Sequence, residues 1–298
     1  MERSLSSNEA KVVLDLEWRD QASVRLAEIE ATLACSHGYA RYVAHRLVRK
    51  GWLERLRPGL YQLVPAERGR EGVADTNPLA AGALLVAPYF YSFGTACTYH
   101  GLTEQVFSEV YVATPSRRRP RIVRGKRYLF VTVRERTFGG FSEVEVLGAP
   151  VQMATLERAV LDAVDRPRYA GGIGEVSHIV ARAIRRLSWD ALLELLRLFG
   201  KPALAQRLGY LLEFHGADIS SPTIDSLRGL TRPASKIALG PRAKWGRHGP
   251  LAAPWNVIEN VPRDVLAERG AGRLREQARS LFRRHQSPSA AGPSAAPP

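Results

Sequence analysis

The chain has 298 residues, of which 43 are Lys or Arg and 29 are Asp or Glu, giving a formal net charge of +14. Apolar residues make up 45% and charged residues 24%, a composition that is typical of folded globular proteins and excludes disorder of the whole chain. The sequence has no run of about 18 apolar residues, which excludes a membrane-spanning helix, and its polar start predicts no signal peptide.

The positive charge favours an anionic partner, such as a nucleic acid, a membrane surface or an acidic protein. Because 37 of the 43 basic residues are Arg, a bias that a GC-rich genome also produces, the local distribution of charge is more informative than its total. The two cysteines, Cys35 and Cys97, have no paired spacing, which favours a cytoplasmic location over an oxidising compartment.

Residues 8–65 are predicted to form a compact helical domain that ends in a hairpin. Apolar residues at helical spacing predict a first helix over residues 24–33. Ser36 is a suitable N-cap for a second helix that runs to about residue 50. Two short helices joined by a turn of three or four residues are typical of a helix-turn-helix motif.

The second helix of this pair has two different faces. Four apolar residues at helical spacing are expected to pack on the core, namely Ala40, Val43, Ala44 and Leu47. The remaining positions predict a surface that contacts base edges and phosphates in a DNA major groove. This surface consists of Ser36, His37, Arg41, Tyr42, His45, Arg46, Arg49 and Lys50.

A short hairpin is predicted directly after this helix. Residues 52–56 and 60–64 read as strands, and Pro58 with Gly59 fits the tight turn between them. A recognition helix followed by a hairpin is a winged helix, in which Arg55 and Arg57 would lie near phosphates or the minor groove. Residues 36–57 contain six basic residues and one acid, so positive charge is concentrated where DNA would lie. The alternative is a solvated basic helix without a ligand.

The rest of the chain is predicted to form a larger mixed domain at residues 78–260, after a polar linker at residues 66–77. Strands are expected at 109–113, 128–133 and 143–146, and helices follow from Thr155 and Ser188 onward. Strands followed by a run of helices indicate an α+β protein with a small sheet and a helical half. Residues 270–298 are predicted to be a basic, disordered tail.

A second basic run lies between two predicted strands, at residues 115–127 (PSRRRPRIVRGKR). It contains seven cations and no acid, namely Arg117, Arg118, Arg119, Arg121, Arg124, Lys126 and Arg127. The loop is a candidate for contact with DNA phosphates beside the winged helix, or with an acidic or RNA-bound surface of a protein partner. A solvated loop is the simpler alternative.

Signatures of catalysis and of metal binding are absent from the sequence. The seven histidines have no metal-ligand spacing, and there is no nucleophile-elbow, zincin or P-loop motif. The GGIG stretch at residues 171–174 is interpreted as a turn and not as a phosphate cradle. We therefore expect no enzyme activity, no cofactor and no metal. Glu157, Arg158 and Glu213 are expected to form structural salt bridges, and His100 is expected to be a structural residue at a helix end.

Five segments spaced along the chain carry a family resemblance. They are residues 43–61 (VAHRLVRKGWLERLRPGLY), 91–102 (YSFGTACTYHGL), 157–162 (ERAVLD), 207–213 (RLGYLLE) and 255–260 (WNVIEN). Together, in this order, they resemble AbiEi-type antitoxins of type IV toxin–antitoxin systems, in particular the mycobacterial transcriptional-regulator antitoxins. The resemblance covers about residues 20–260.

The resemblance implies a transcriptional repressor whose winged helix binds inverted repeats in its own promoter and so autoregulates its operon. It maps the groove-reading positions to residues 36–50 and 55–59. It implies that residues 78–260 act as an antitoxin against a nucleotidyltransferase-like toxin, without a stable complex being expected. Inverted repeats imply two copies on double-stranded DNA, as a dimer or by cooperative binding. The alternative function is a protein-interaction module that directly inhibits a partner enzyme without sequence-specific DNA reading.

Overall fold

The structure, a computed structural model, describes residues 4–64 and 77–267. The predicted linker, apart from Asn77, and the predicted tail at 270–298 lie outside the described residues. The chain divides into two compact units. Among the described residues, the first unit comprises 4–64, 77–89, 114–132 and 143–152, and the second comprises 90–113, 133–142 and 153–267. The domain boundaries drawn from the sequence stay a prediction.

Three helices and a three-stranded sheet form the N-terminal part of the first unit. The helices are α1 (Ser7–Trp18), α2 (Leu26–Leu33) and α3 (His37–Arg49). The strands are β1 (Ser23–Arg25), β2 (Leu53–Arg57) and β3 (Leu60–Leu63). The sheet order is β1-β3-β2, and both pairings are antiparallel. The predicted helix-turn-helix and its hairpin wing are confirmed.

Helix α2 begins two residues later than the sequence predicts because the preceding segment pairs with the wing. Val24 lies opposite Tyr61 of β3, a pairing that the β-branched side chain favours. The Arg25 amide then donates to the Glu28 carboxylate at 2.6 Å, which satisfies one of the free amides of the first helical turn. The helix therefore starts at Leu26.

The three helices enclose a small apolar core. Their inward-facing residues are almost completely buried, and they include Val12, Leu16, Ile29, Val43 and Leu47. Leu53, Tyr61 and Leu63 of the hairpin pack into the same cluster. The wing is thus fixed to the helices by apolar contacts, which hold α3 and the hairpin in one orientation.

A six-stranded sheet follows in the chain, with the strand order β6-β7-β5-β4-β9-β8. Its strands are β4 (Phe90–Tyr91), β5 (Glu109–Thr114), β6 (Arg121–Val123), β7 (Lys126–Thr132), β8 (Phe141–Val146) and β9 (Ala149–Ala154). The three predicted strands correspond to β5, β7 and β8. Strand β4 pairs antiparallel with β5 and parallel with β9, so the short strand at its centre depends on partners far away in the sequence.

The second unit is mainly helical. Its longer helices are α5 (Phe93–Tyr99), α6 (Leu156–Asp165), α7 (Ile173–Ala183), α8 (Trp189–Phe199), α9 (Pro202–Phe214) and α10 (Ser221–Gly229), while the short α4 (Pro78–Ala83) belongs to the first unit. Thr155 and Ser188 cap α6 and α8 as predicted, because their hydroxyls accept the amides of Arg158 and Ala191.

A second small sheet and two short helices complete the described residues. The strands β10 (Ile237–Ala238), β11 (Leu251–Ala252) and β12 (Val257–Ile258) have the order β10-β12-β11, and the helices are α11 (Arg242–Trp245) and α12 (Arg263–Ala267). Strands β5 to β9 follow one another without an α-helix between them, and five α-helices, α6 to α10, come next in the chain. The predicted α+β class, with an N-terminal winged helix before a larger mixed part, is confirmed.

Candidate nucleic-acid interface

Helix α3 presents a basic and aromatic face to solvent. The Ser36 hydroxyl accepts the Tyr39 amide at 3.4 Å and caps the helix. The four apolar residues that were predicted to face the core are all at most 2% exposed, which fixes the orientation of the helix around its axis. The opposite face is exposed at Ser36, His37, Arg41, Tyr42, His45 and Arg49.

Tyr39 lies on the same surface, although the sequence interpretation did not include it. Its side chain is 41% exposed, and its ring centroid is 6.0 Å from that of Tyr42. The Arg46 guanidinium donates to the Tyr42 hydroxyl at 3.0 Å. The helical spacing of Tyr39, Tyr42 and Arg46, at i, i+3 and i+7, was the sequence signal for this row.

The last turn of α3 is tied to α1 by a buried acid. The carboxylate of Glu9, which is 1% exposed, accepts hydrogen bonds from Arg46 Nε at 2.9 Å and from Lys50 Nζ at 2.5 Å. Burial raises the pKa of Glu9, but hydrogen bonds from Lys50 and the Ser6 backbone outweigh that effect and lower the pKa to about 2. The carboxylate therefore stays charged and holds α1 against α3.

This contact corrects the expectation for Lys50. The sequence placed its ammonium at the solvent-facing end of the helix, but the side chain is only 15% exposed and contacts Glu9. Arg46, with 42% of its side chain exposed, combines a contact to Glu9 with partial access to solvent. Lys50 thus orients the helix, while Arg41 and Arg49 keep exposed side chains.

The wing carries two arginines with different surroundings. Gly59 adopts φ 77° in the turn between β2 and β3, a conformation that glycine adopts without strain. Arg55 is exposed, whereas Arg57 is half-buried. Arg57 Nε is buried, and it has no hydrogen-bond acceptor among the described residues. Arg55 is therefore the wing cation with the better access to a ligand.

The second basic run does not form one uniform patch. Residues 115–120 form the loop before β6, and Arg124 lies in the turn between β6 and β7. Solvent-exposed side chains belong to Arg117, Arg118, Arg119, Arg121 and Arg127, while Lys126 is half-buried. Arg124, by contrast, is 14% exposed and donates to Glu54 Oε1 at 2.7 Å and to Gln62 Oε1 at 2.9 Å. Arg124 therefore differs from the exposed cations of the run, because its guanidinium is bound by two residues of the wing.

Of the residues predicted to form structural salt bridges in the second unit, Arg158 forms an ion pair, whereas Glu157 and Glu213 accept hydrogen bonds from uncharged donors. The Arg158 guanidinium is buried, donates to Asp162 at 2.8 Å and packs over the rings of Phe90 and Phe199. The remaining contacts are Glu157 with the Ser188 amide, Glu213 with Trp255 Nε1, and His100 at the end of α5 with the Ala154 carbonyl. All these groups therefore have structural partners within the fold.

The glycine-rich stretch before α7 is a turn. Gly171 and Gly172 have φ values of 81° and 90°. They line an open cavity of about 380 Å³ together with Arg168, Lys244 and Trp245. Within residues 4–64 and 77–267 there is no cluster of three or more His, Cys, Asp or Glu suited to a metal ion. No helix in this part of the chain is long and apolar enough to span a membrane.

Comparison with solved structures supports the fold. The chain is similar to the Rv2827c protein from Mycobacterium tuberculosis, with a TM-score of 0.62 at 14% sequence identity. The similarity covers 89% of this chain and 95% of the other. At this level of identity the likeness concerns the fold alone. No curated protein matches the sequence.

The family comparison concerns the winged helix. Residues 16–64 match the family described as a transcriptional regulator, AbiEi antitoxin. The matched segment contains α2, α3 and the complete hairpin wing, and so includes the exposed face of α3. The description of this family is that of a regulator. The winged-helix segment of this chain, residues 16–64, is therefore similar to the AbiEi antitoxin family of transcriptional regulators.

Proposed function

We propose that this protein is a DNA-binding transcriptional repressor that autoregulates its own operon and acts as an antitoxin against a nucleotidyltransferase-like toxin. The exposed row of arginine and tyrosine side chains on α3 is the observation that carries the proposal. This row lies within the segment that matches the regulator family. Such a helix fits the major groove of B-DNA.

The residues of this surface have distinct proposed roles. Arg41, near the start of α3, would donate to guanine edges, because recognition helices contact bases mainly through their N-terminal half. Arg49 and Arg55 would contact phosphates. Tyr39 and Tyr42 would supply apolar contact to thymine methyl groups or sugars. Ser36, His37 and His45 border the same face.

A binding experiment with the promoter of the protein's own operon tests the repressor function. We expect a footprint over inverted repeats, and we expect Arg41→Ala to weaken promoter binding by about 1–3 kcal/mol, or roughly 5- to 150-fold. Arg19→Ala is a matched control, because Arg19 is exposed and pairs with Asp15 on α1. If both variants lost the same affinity for the promoter, Arg41 would not be a residue that contacts bases.

Co-expression with a nucleotidyltransferase-like toxin tests the antitoxin function separately. The full chain should restore growth, and Arg41→Ala should still restore it while losing repression. We propose that residues 78–260 carry this activity. If the two proteins co-purified and the toxin were neutralised without any promoter footprint, the protein would be a direct inhibitor of its partner and not the proposed regulator.

A further inference from the structure

The turn between β6 and β7 is fastened to the wing of the winged helix. Both segments belong to the first compact unit. Glu54 and Gln62 lie opposite each other in the β2–β3 hairpin, so their side chains project from the same face. Arg124 contacts both, through Nε and Nη2 respectively. A single guanidinium thus joins two segments that are separated by about 60–70 residues in the sequence.

This contact also changes the charge of the wing. Glu54 is the only acid between residues 36 and 57, and its carboxylate would repel a DNA phosphate nearby. The Arg124 side chain is largely buried against it, and the charged hydrogen bond at 2.7 Å compensates the carboxylate. The charges that remain uncompensated on the wing, beside α3, are consequently positive.

We propose that the loop at residues 117–121 is a second DNA-phosphate contact, which Arg124 positions beside the wing. The proposal rests on the proposed DNA-binding function and extends its surface. Arg121, the first residue of β6, is three positions before Arg124, a distance of about 10 Å at the rise of an extended strand. Duplex DNA carries one phosphate charge per about 1.7 Å of axis, so phosphates flanking those at the wing lie within reach of the loop.

The composition of the loop favours DNA over a protein partner. Arg117, Arg118, Arg119 and Arg121 are exposed, and residues 115–127 contain no acid. A protein surface usually pairs cations with apolar anchors, whereas phosphate contacts need mainly guanidinium groups and backbone amides. The link to the wing places these cations in the same compact unit as the recognition helix, so they can act on the same duplex.

A triple variant, Arg117→Ala with Arg118→Ala and Arg119→Ala, tests the contact on the full chain. A plot of log affinity against log salt has a negative slope, and each lost phosphate contact makes that slope shallower by about 0.9. The slope of the triple variant should therefore be shallower by nearly three. Between 50 and 200 mM salt the affinity of the variant should then fall about 40-fold less than that of the unmodified protein. The footprint should shorten at the flank of each half-site.

The matched control removes three exposed arginines elsewhere, Arg134, Arg136 and Arg197. It should keep the slope and the footprint. Equal slopes and footprints for the loop variant and the unmodified protein would overturn the proposal, and loss of toxin antagonism in that variant would instead identify a protein-binding loop. If the unmodified protein did not bind the promoter at all, the proposed function itself would be refuted. Failure of the loop proposal and failure of the proposed function therefore give different results.

A double-variant cycle tests the positioning role of Arg124. Arg124→Ala should shorten the footprint at the flank, and Glu54→Gln alone should leave its length unchanged. If Arg124 positions the loop, the footprint stays short in the double variant, although the uncompensated carboxylate is gone. Full recovery in the double variant would overturn positioning, because charge compensation alone would then explain the effect. Circular dichroism verifies that each variant is folded.

Discussion

Glu9 stays charged although its side chain is almost completely buried, because two cations donate hydrogen bonds to its carboxylate. Its two cationic partners come from the end of α3, 37 and 41 residues away in the sequence. Helical periodicity identifies the outer face of α3, but it cannot show that Lys50 turns toward α1. The direction of such a side chain depends on a tertiary partner, which explains why this part of the candidate site was not predictable.

We predict that Glu9→Gln destabilises the protein and removes a component of its acid sensitivity. The pKa of Glu9 is about 2 in the folded state, against 4.5 ordinarily. A lowered pKa stabilises the fold fully above pH 4.5, and this contribution is lost as the pH falls from 4.5 toward 2. The contribution at pH 7 is on the order of 3 kcal/mol. Urea unfolding at pH 7 and pH 3 measures it.

Glu17→Gln is the matched control for this prediction. Glu17 lies on the same helix and is exposed, so its substitution should change the free energy of unfolding by less than about 0.5 kcal/mol. If the stability of Glu9→Gln depended on pH as steeply as that of the unmodified protein, the ion pair would not be the source of the acid sensitivity.

In helix α9, a glycine leaves room for a neighbouring aromatic side chain to pack against the helix backbone. A Cβ at Gly209 would lie 2.2 Å from ring carbons of Trp255. The indole is 1% exposed, and its Nε1 donates to Glu213 at 2.6 Å. The tryptophan is therefore held from two sides, and α9 can approach it only where the helix has no side chain.

We predict that Gly209→Ala destabilises the protein although alanine is the better helix former. Overpacking of a filled core costs about 1–3 kcal/mol, which outweighs the gain of up to about 1 kcal/mol in helix propensity. Gly229→Ala in α10 is the control, because its Cβ would meet no atom within 4 Å, and it should be neutral or stabilising. Thermal unfolding of both variants would reveal the difference, and a stabilised Gly209→Ala would contradict the packing argument.

The elements that the sequence predicted depend on interactions between residues close together in the chain, whereas those that it missed depend on residues far apart in the chain. Helix α3 and its wing follow from local signals, namely the Ser36 cap, the apolar spacing and the Pro58–Gly59 turn. Strands β1 and β4 have three and two residues, too few for a pattern of alternation. Their existence depends on partners such as β3, about 37 residues beyond β1. Long-range pairing of this kind leaves no periodic trace in the sequence.

At the scale of the whole molecule, the charge of +14 is not spread evenly over the described surface. Exposed cations lie on α3 and the wing and on the loop at residues 117–121, both of which belong to the first unit, and a further group lies at residues 242–247 of the second unit. Arg124 and Lys50 reduce the number of free cations, because each is paired with a carboxylate. The net charge alone would therefore overstate the number of phosphates that one copy neutralises.

The proposed inverted repeat leads to a prediction about stoichiometry. One recognition helix reads one half-site, and an inverted repeat presents the same base edges twice, so two copies should bind a duplex that contains both repeats. Each copy releases its own set of counterions, so the slope of log affinity against log salt for full occupancy should be twice that for a duplex with one repeat. Analytical ultracentrifugation gives the stoichiometry, and titrations between 50 and 200 mM salt give the slopes. Arg41→Ala serves as a control, since it should weaken both duplexes without changing the ratio of copies. A single copy on the complete inverted repeat would contradict the prediction, because one winged helix would then have to account for both half-sites.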